Sequence, residues 1–180
     1  ELFETPQTVI RDLFVYLDDD GVHVEATIDG PATEAQLAIP GLGLATMLAV
    51  TDGRASAVLL AQPDLWSPEH PVLYDVTLSA GGDSVSDRVG FRRIARHGTT
   101  ILLNGQPIFL RGISVHEDDE MQGKLTSEDD IRRRFAHARE LGCNFLRLAH
   151  YPHHEMAARI ADEMGLMLWE EIPVYWAIDF

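Results

Sequence analysis

The chain has 180 residues, 46% of them hydrophobic, and a formal net charge of −15. This is the composition of a folded, soluble protein of one or two ordinary domains, and a field of that sign repels phosphate backbones, which excludes nucleic acid as a partner. No stretch approaches the length of a membrane span, and the opening residues, ELFETPQTV, show no basic and apolar leader, so no targeting signal is visible and the cytoplasm is favoured.

Between Thr8 and about Ile94 the sequence reads as short β runs parted by Gly, Pro and Asp. They are TVIRDLFVYL (8–17), VHVEATI (22–28), EAQLAI (34–39), LATMLAV (44–50), ASAVLLA (55–61), PVLYDVTLS (71–79) and SVSDRVGFRRI (84–94). VHVEATI alternates Val22, Val24, Ala26 and Ile28 with His23, Glu25 and Thr27, and PVLYDVTLS does the same with Val72, Tyr74, Val76 and Leu78. Period-two patterning means one packed face and one wet face. Such a series, with turn signals between the runs and no amphipathic helix, predicts an all-β immunoglobulin-like sandwich domain over residues 1–95.

ILLNGQPIFLRG (101–112) follows. Asn104-Gly105 between apolar runs predicts a hairpin, because both central positions of a two-residue turn need positive φ. Pro107 fits an edge strand beside that turn. Beyond it the period changes. SEDDIRRRFAHARELG (127–142) places Ile131, Phe135, Ala138 and Leu141 on one helical face, with Ser127 as N-cap, Glu128, Asp129 and Asp130 at the positive end, and Gly142 as the stop. CNFLRLA (143–149) reads as a buried strand opening on Cys143, the chain's one cysteine, expected to be buried and inert. HEMAARIADEMG (154–165) is a second helix with Met156, Ile160 and Met164 aligned, and LMLWEEIP (166–173) is a further strand ended by Pro173.

Strand, helix, strand, helix, strand is the grammar of a parallel sheet. Residues 96–180 are accordingly read as α/β, the first three strands of an incomplete (β/α)8 TIM barrel, since a whole barrel takes about 250 residues. An open three-stranded layer leaning on the sandwich is the other reading. The apolar Val174, Tyr175, Trp176, Ile178 and Phe180 have no later element to pack on, which predicts self-association through exposed apolar surface.

In barrels and open α/β sheets, ligands sit at the carboxyl ends of the strands. The three exits here are polar: His116, Glu117, Asp118 and Asp119 after the first strand, His150 and Tyr151 after the second, Glu170 and Glu171 after the third. Loops of this kind are polar in any case, but three such exits together point to a site. Arg147 lies within an apolar strand, on the face of Phe145 and Ala149 and opposite Leu146 and Leu148. With both faces of a parallel sheet covered, its guanidinium needs a carboxylate partner. That pair either braces the sheet or holds a catalytic group ionised. His150, His153 and His154 match no strong metal-ligand spacing, with Pro152 turning the chain between them, so no metal is assigned. His153 and His154 are expected on the surface where the next helix begins.

GFRRI, LLNGQPIFLRGISVHE, LGCNFLRLAHYP and ADEMGLMLWEEIP, in that order, resemble glycoside hydrolase family 2, which includes β-galactosidases, β-glucuronidases and β-mannosidases. LWSPEHPVLYDV (65–76) is similar to the end of the sandwich that precedes the barrel in that family. The resemblance implies an internal fragment of a retaining exo-β-glycosidase that hydrolyses O-glycosidic bonds with two glutamates roughly 5 Å apart and no cofactor. It puts both glutamates after later barrel strands. No residue here is therefore assigned as nucleophile or acid/base, no Asn-Glu motif is present, and the fragment is expected to be inactive. The resemblance further implies that Arg147 orients the nucleophile and that His116, His150 and Glu171 contact a β-linked sugar. Glu117 and Tyr151 stand behind them, Glu117 as a residue able to orient His116. A non-catalytic carbohydrate-binding or interaction module is the alternative that the sandwich alone allows, and a metal-dependent hydrolase using His116, His150 and His153 is a third.

Overall fold

A computed structural model of the protein describes residues 6–119, 121, 123–124 and 127–173. The chain divides into two compact units, Glu1–Trp66 with Val72–Ala95, and Ser67–Pro71 with Arg96–Phe180.

The first unit is built from β1 (Val9–Asp18), β2 (Gly21–Asp29), β3 (Glu34–Ile39), β4 (Leu44–Ala49), β5 (Arg54–Leu59), β6 (Tyr74–Ala80) and β7 (Asp83–Val89). One sheet runs β1-β2-β5 and the other β4-β3-β6-β7, with antiparallel pairing throughout. The alternation read from the sequence sets the core. Val22, Val24, Ala26 and Ile28 of one sheet pack with Ala35, Leu37, Ile39, Val76 and Leu78 of the other, while Glu25 and Thr27 face water. Each fully buried Val, Leu or Ile side chain among these contributes about 1.5–3 kcal/mol.

The last expected run is shorter than its sequence suggests. β7 ends at Val89 rather than continuing to Ile94. The chain leaves the sheet to bury Phe91, whose carbonyl accepts the Trp66 amide at 2.8 Å, and Arg92 lies over the Trp66 ring at 4.4 Å.

Three short strands follow, β8 (Ile94–His97), β9 (Thr100–Leu103) and β10 (Gln106–Pro107), in the order β10-β9-β8. Leu103 pairs with Gln106 across a two-residue turn. Asn104 and Gly105 take φ of 53° and 78°, as the hairpin requires.

The second unit contains β11 (Gly112–Val115), α1 (Glu128–Glu140), β12 (Phe145–Leu148), α2 (Met156–Met164) and β13 (Met167–Glu170). The three strands are parallel in the order β11-β12-β13. Leu146 and Leu148 pack against Ile131, Phe135 and Ala138 of α1 and Ala157, Ile160 and Ala161 of α2, beside the buried Cys143. Leu141, expected on the same helical face, is 73% exposed, because it lies past the last helical residue as the C-cap. In α2 the alanines and Ile160 form the buried face, whereas Met156 and Met164 are only partly buried.

α1 starts on a capping box. Ser127 Oγ accepts the Asp130 amide at 3.2 Å and donates its proton to Asp130 Oδ2 at 2.7 Å, and that carboxylate also accepts the Ser127 amide. These bonds from Ser127, and then the Arg133 guanidinium, hold the Asp130 carboxyl down to about 2. The apolar segment Val174, Tyr175, Trp176, Ile178 and Phe180 lies outside the described residues. No helix among the described residues is long and apolar enough to cross a membrane.

Candidate active site

Parallel register decides which side chains can meet. Leu146, Leu148 and Leu168 belong to the cluster formed with the helices. Arg147 pairs with Ser114 on one side and Trp169 on the other, so these three project from the opposite face. Glu171, two residues past Trp169, keeps to that face, and Glu170 falls on the other. Both faces of the sheet were expected to be covered. Among the described residues, the two crossover helices cover only one, which leaves Trp169 58% exposed and the Arg147 side chain 39% exposed.

On this face Arg147 Nε donates to Glu171 Oε1 at 2.6 Å, and Nη2 lies 2.5 Å from the same oxygen. The second carboxylate oxygen, Oε2, stands 3.6 Å from His150 Nδ1, and Arg147 Nη2 is 3.3 Å from that ring nitrogen. His116 sets its ring edge-on to His150, with centroids 5.2 Å apart. Trp169 adds a ring 5.7 Å from the guanidinium carbon. Two histidines, an arginine and a carboxylate from three strand exits are thus gathered within contact distance. Such a group can orient a second carboxylate and exchange hydrogen bonds with hydroxyls.

The loops behind the group are tied together. The Tyr151 hydroxyl accepts the Glu117 amide at 3.1 Å and donates to Asp118 Oδ2 at 3.4 Å. The Lys124 ammonium lies 3.8 Å from the centroid of its ring. Glu117 does not turn toward His116. Its Oε1 accepts the His154 amide at 2.7 Å, joining the β11 exit to the approach of α2. His153 is not a plain surface residue either. It is partly buried, stacks on Tyr151 at 5.1 Å, and its Nε2–H donates to the Ala149 carbonyl at 3.0 Å. His154 is exposed, and its Nδ1 accepts the Met156 amide at the start of α2.

Sequence reasoning passed over two residues that matter here. Trp169 could have been found from its spacing to Glu171, which places both on the Arg147 face. Asn144 is 4% exposed, its Oδ1 accepting the Arg111 amide at 2.8 Å and its Nδ2 donating to the Phe109 carbonyl at 3.1 Å. It fastens the start of β12 to the approach of β11, and no local pattern announces such a long-range role. Among the described residues, no group of three or more His, Cys, Asp or Glu is gathered to hold a metal ion.

Comparison with known proteins assigns this architecture. The family model for "Glycosyl hydrolases family 2" matches residues 8–92, and the one for "Glycosyl hydrolases family 2, TIM barrel domain" matches residues 94–176. The chain belongs to glycosyl hydrolase family 2. Its β1–β7 are that family's sandwich, and β11, β12 and β13 are the opening strands of its barrel. A β-galactosidase from an Arthrobacter species is 32% identical over 141 residues, which is 78% of this chain and 14% of that protein. The solved β-glucuronidase 3 of Bacteroides uniformis superposes with a TM-score of 0.78 at 28% identity, covering 94% of this chain and 23% of that one. The family 2 β-galacturonidase of Eisenbergiella tayi, solved with galacturonate bound, gives 0.77 at 28% identity, over 94% of this chain and 33% of that one. The chain therefore spans a small part, 14% to 33%, of these family 2 proteins.

Proposed function

We propose that the chain is part of a retaining exo-β-glycosidase that hydrolyses the O-glycosidic bonds of β-galactosides or β-glucuronides without a cofactor. The meeting of Arg147, His150 and Glu171 at the carboxyl ends of parallel strands carries this reading. In the complete protein, the Arg147 guanidinium holds the nucleophilic glutamate ionised and aimed, since a cation beside a carboxylate favours its charged form. That glutamate attacks the anomeric carbon while a second glutamate protonates the departing oxygen. Water, deprotonated by the second glutamate, then breaks the glycosyl–enzyme bond with the original configuration restored. His116 and His150 donate hydrogen bonds to sugar oxygens and Glu171 accepts them, with Glu117 and Tyr151 fixing the loops that carry the histidines. Neither catalytic glutamate is assigned within this chain, so the 180 residues alone are inactive. Phe109, Trp169 and Ile172, all more than half exposed, give the isolated chain apolar surface through which copies associate.

The complete protein should release the β-anomer first from aryl β-galactosides or β-glucuronides, followed by proton NMR of the sugar. In the same assay Arg147→Ala should lower kcat by about 10²-fold or more, with KM nearly unchanged. Release of the α-anomer would sink the retaining mechanism, and near wild-type turnover would remove the role of Arg147.

A further inference from the structure

We infer that Arg147 also sets the tautomer of His150, fixing its proton on Nε2 and making that atom a hydrogen-bond donor to the sugar. The tautomer follows from the donor inventory around one ring nitrogen. Arg147 Nη2 lies 3.3 Å from His150 Nδ1. A guanidinium carries only donors and stays charged in proteins, so the one hydrogen bond possible across that gap runs from N–H to a lone pair on Nδ1. A neutral imidazole with a lone pair on Nδ1 has its proton on Nε2. Nη2 carries two hydrogens, one for Glu171 Oε1 at 2.5 Å and one for Nδ1.

Glu171 pulls the other way, since its Oε2 faces the same nitrogen and would favour Nδ1–H. At 3.6 Å that oxygen is beyond hydrogen-bond reach, and the carboxylate charge is already drawn to two guanidinium nitrogens through Oε1. His116, from an adjacent strand exit, meets the ring edge-on at a centroid distance of 5.2 Å. Arg147 is thus a positioning residue for His150 in addition to its proposed partner.

The tautomer stands on the contacts alone, whereas the sugar-donating role rests on the glycosidase reading, and two measurements separate them. Long-range proton–nitrogen NMR of histidine-labelled 180-residue chain, assigned with His150→Gln, should show His150 as the Nε2–H form. His153, whose Nε2–H donates to the Ala149 carbonyl, serves as an internal reference for an intact loop. Arg147→Ala should move His150 toward Nδ1–H, with Glu171 Oε2 facing that nitrogen at 3.6 Å, and Glu171→Gln should leave Nε2–H in place. A wild-type His150 protonated on Nδ1 overturns the assignment whatever the variants do, and so does an unchanged tautomer in Arg147→Ala with the His153 signal preserved. In the complete protein, His150→Gln keeps an amide donor near the Nε2 position and His150→Asn puts one near Nδ1. The first should retain about tenfold more kcat/KM than the second. Equal losses, with the Nε2–H form observed, would overturn the donation to sugar and leave the tautomer standing.

Discussion

Arg147 and Glu171 meet through a single carboxylate oxygen, with Nε at 2.6 Å and Nη2 at 2.5 Å from Oε1, instead of through a parallel fork that uses both oxygens. The pair is also open to solvent on the arginine side, at 39% exposure. Coulomb attraction is screened there, and two long side chains must be ordered to form the contact. Glu171→Gln should therefore cost the isolated chain about 1 kcal/mol or less in urea unfolding, with the difference shrinking at high salt. A loss above about 3 kcal/mol would instead mark the pair as buried and structural.

The Asp130 carboxyl gives the second unit a defined response to acid. Its folded value of about 2 lies below the ordinary aspartate value near 4, so folding favours the ionised form. That stabilisation is complete above about pH 4 and is lost as pH falls toward about 2. Asp130→Asn should flatten this part of the acid limb when helix content is followed by circular dichroism. Ser127→Ala, which removes the reciprocal half of the box, should lower stability by about 1 kcal/mol at neutral pH.

Asn144 makes a third case. Truncation to alanine strands the Arg111 amide and the Phe109 carbonyl at a residue that is only 4% exposed. Asn144→Ala should cost about 1–3 kcal/mol. Amide exchange should quicken at Arg111 first, since that N–H loses its acceptor. Unaltered protection of Arg111 would contradict the bridging role.

Two glycines should respond differently to a methyl group. A Cβ on Gly112 would stand 2.4 Å from the Phe145 carbonyl oxygen and 2.6 Å from its ring, whereas one on Gly105 meets nothing within 4 Å. Gly112→Ala should disturb the β11–β12 ladder and cost about 1–3 kcal/mol. Gly105→Ala should cost about 1 kcal/mol, from its positive φ alone. Thermal unfolding of the two variants side by side tests the ranking.

The sandwich was legible because its signal is local. Strict alternation in β2 puts Val22, Val24, Ala26 and Ile28 on one face, and no distant partner is needed to read it. The Asn104-Gly105 turn, the Ser127 cap and Gly142 were legible for the same reason, each being a backbone requirement met by one or two residues. What escaped is long-range. β7 stops at Val89 because Phe91 is claimed by the core and by Trp66, which lies far from it in sequence. Glu117 serves the His154 amide rather than the adjacent His116, a choice made by loop packing. Periodicity put Leu141 on the buried face of a helix that ends one residue earlier. That Arg147 needs a carboxylate partner was legible, but the one-oxygen geometry of its contact with Glu171 and the flanking Trp169 were not.

The split of β12 into alternate faces makes one four-residue segment two separate targets for engineering. Leu146 and Leu148 answer to the helices, and Arg147 answers to Glu171 and His150. Library substitutions at the leucines should shift the melting temperature and spare turnover in the complete protein. Those at Arg147 should do the reverse, so thermostability and catalytic tuning can be pursued in parallel along the same strand.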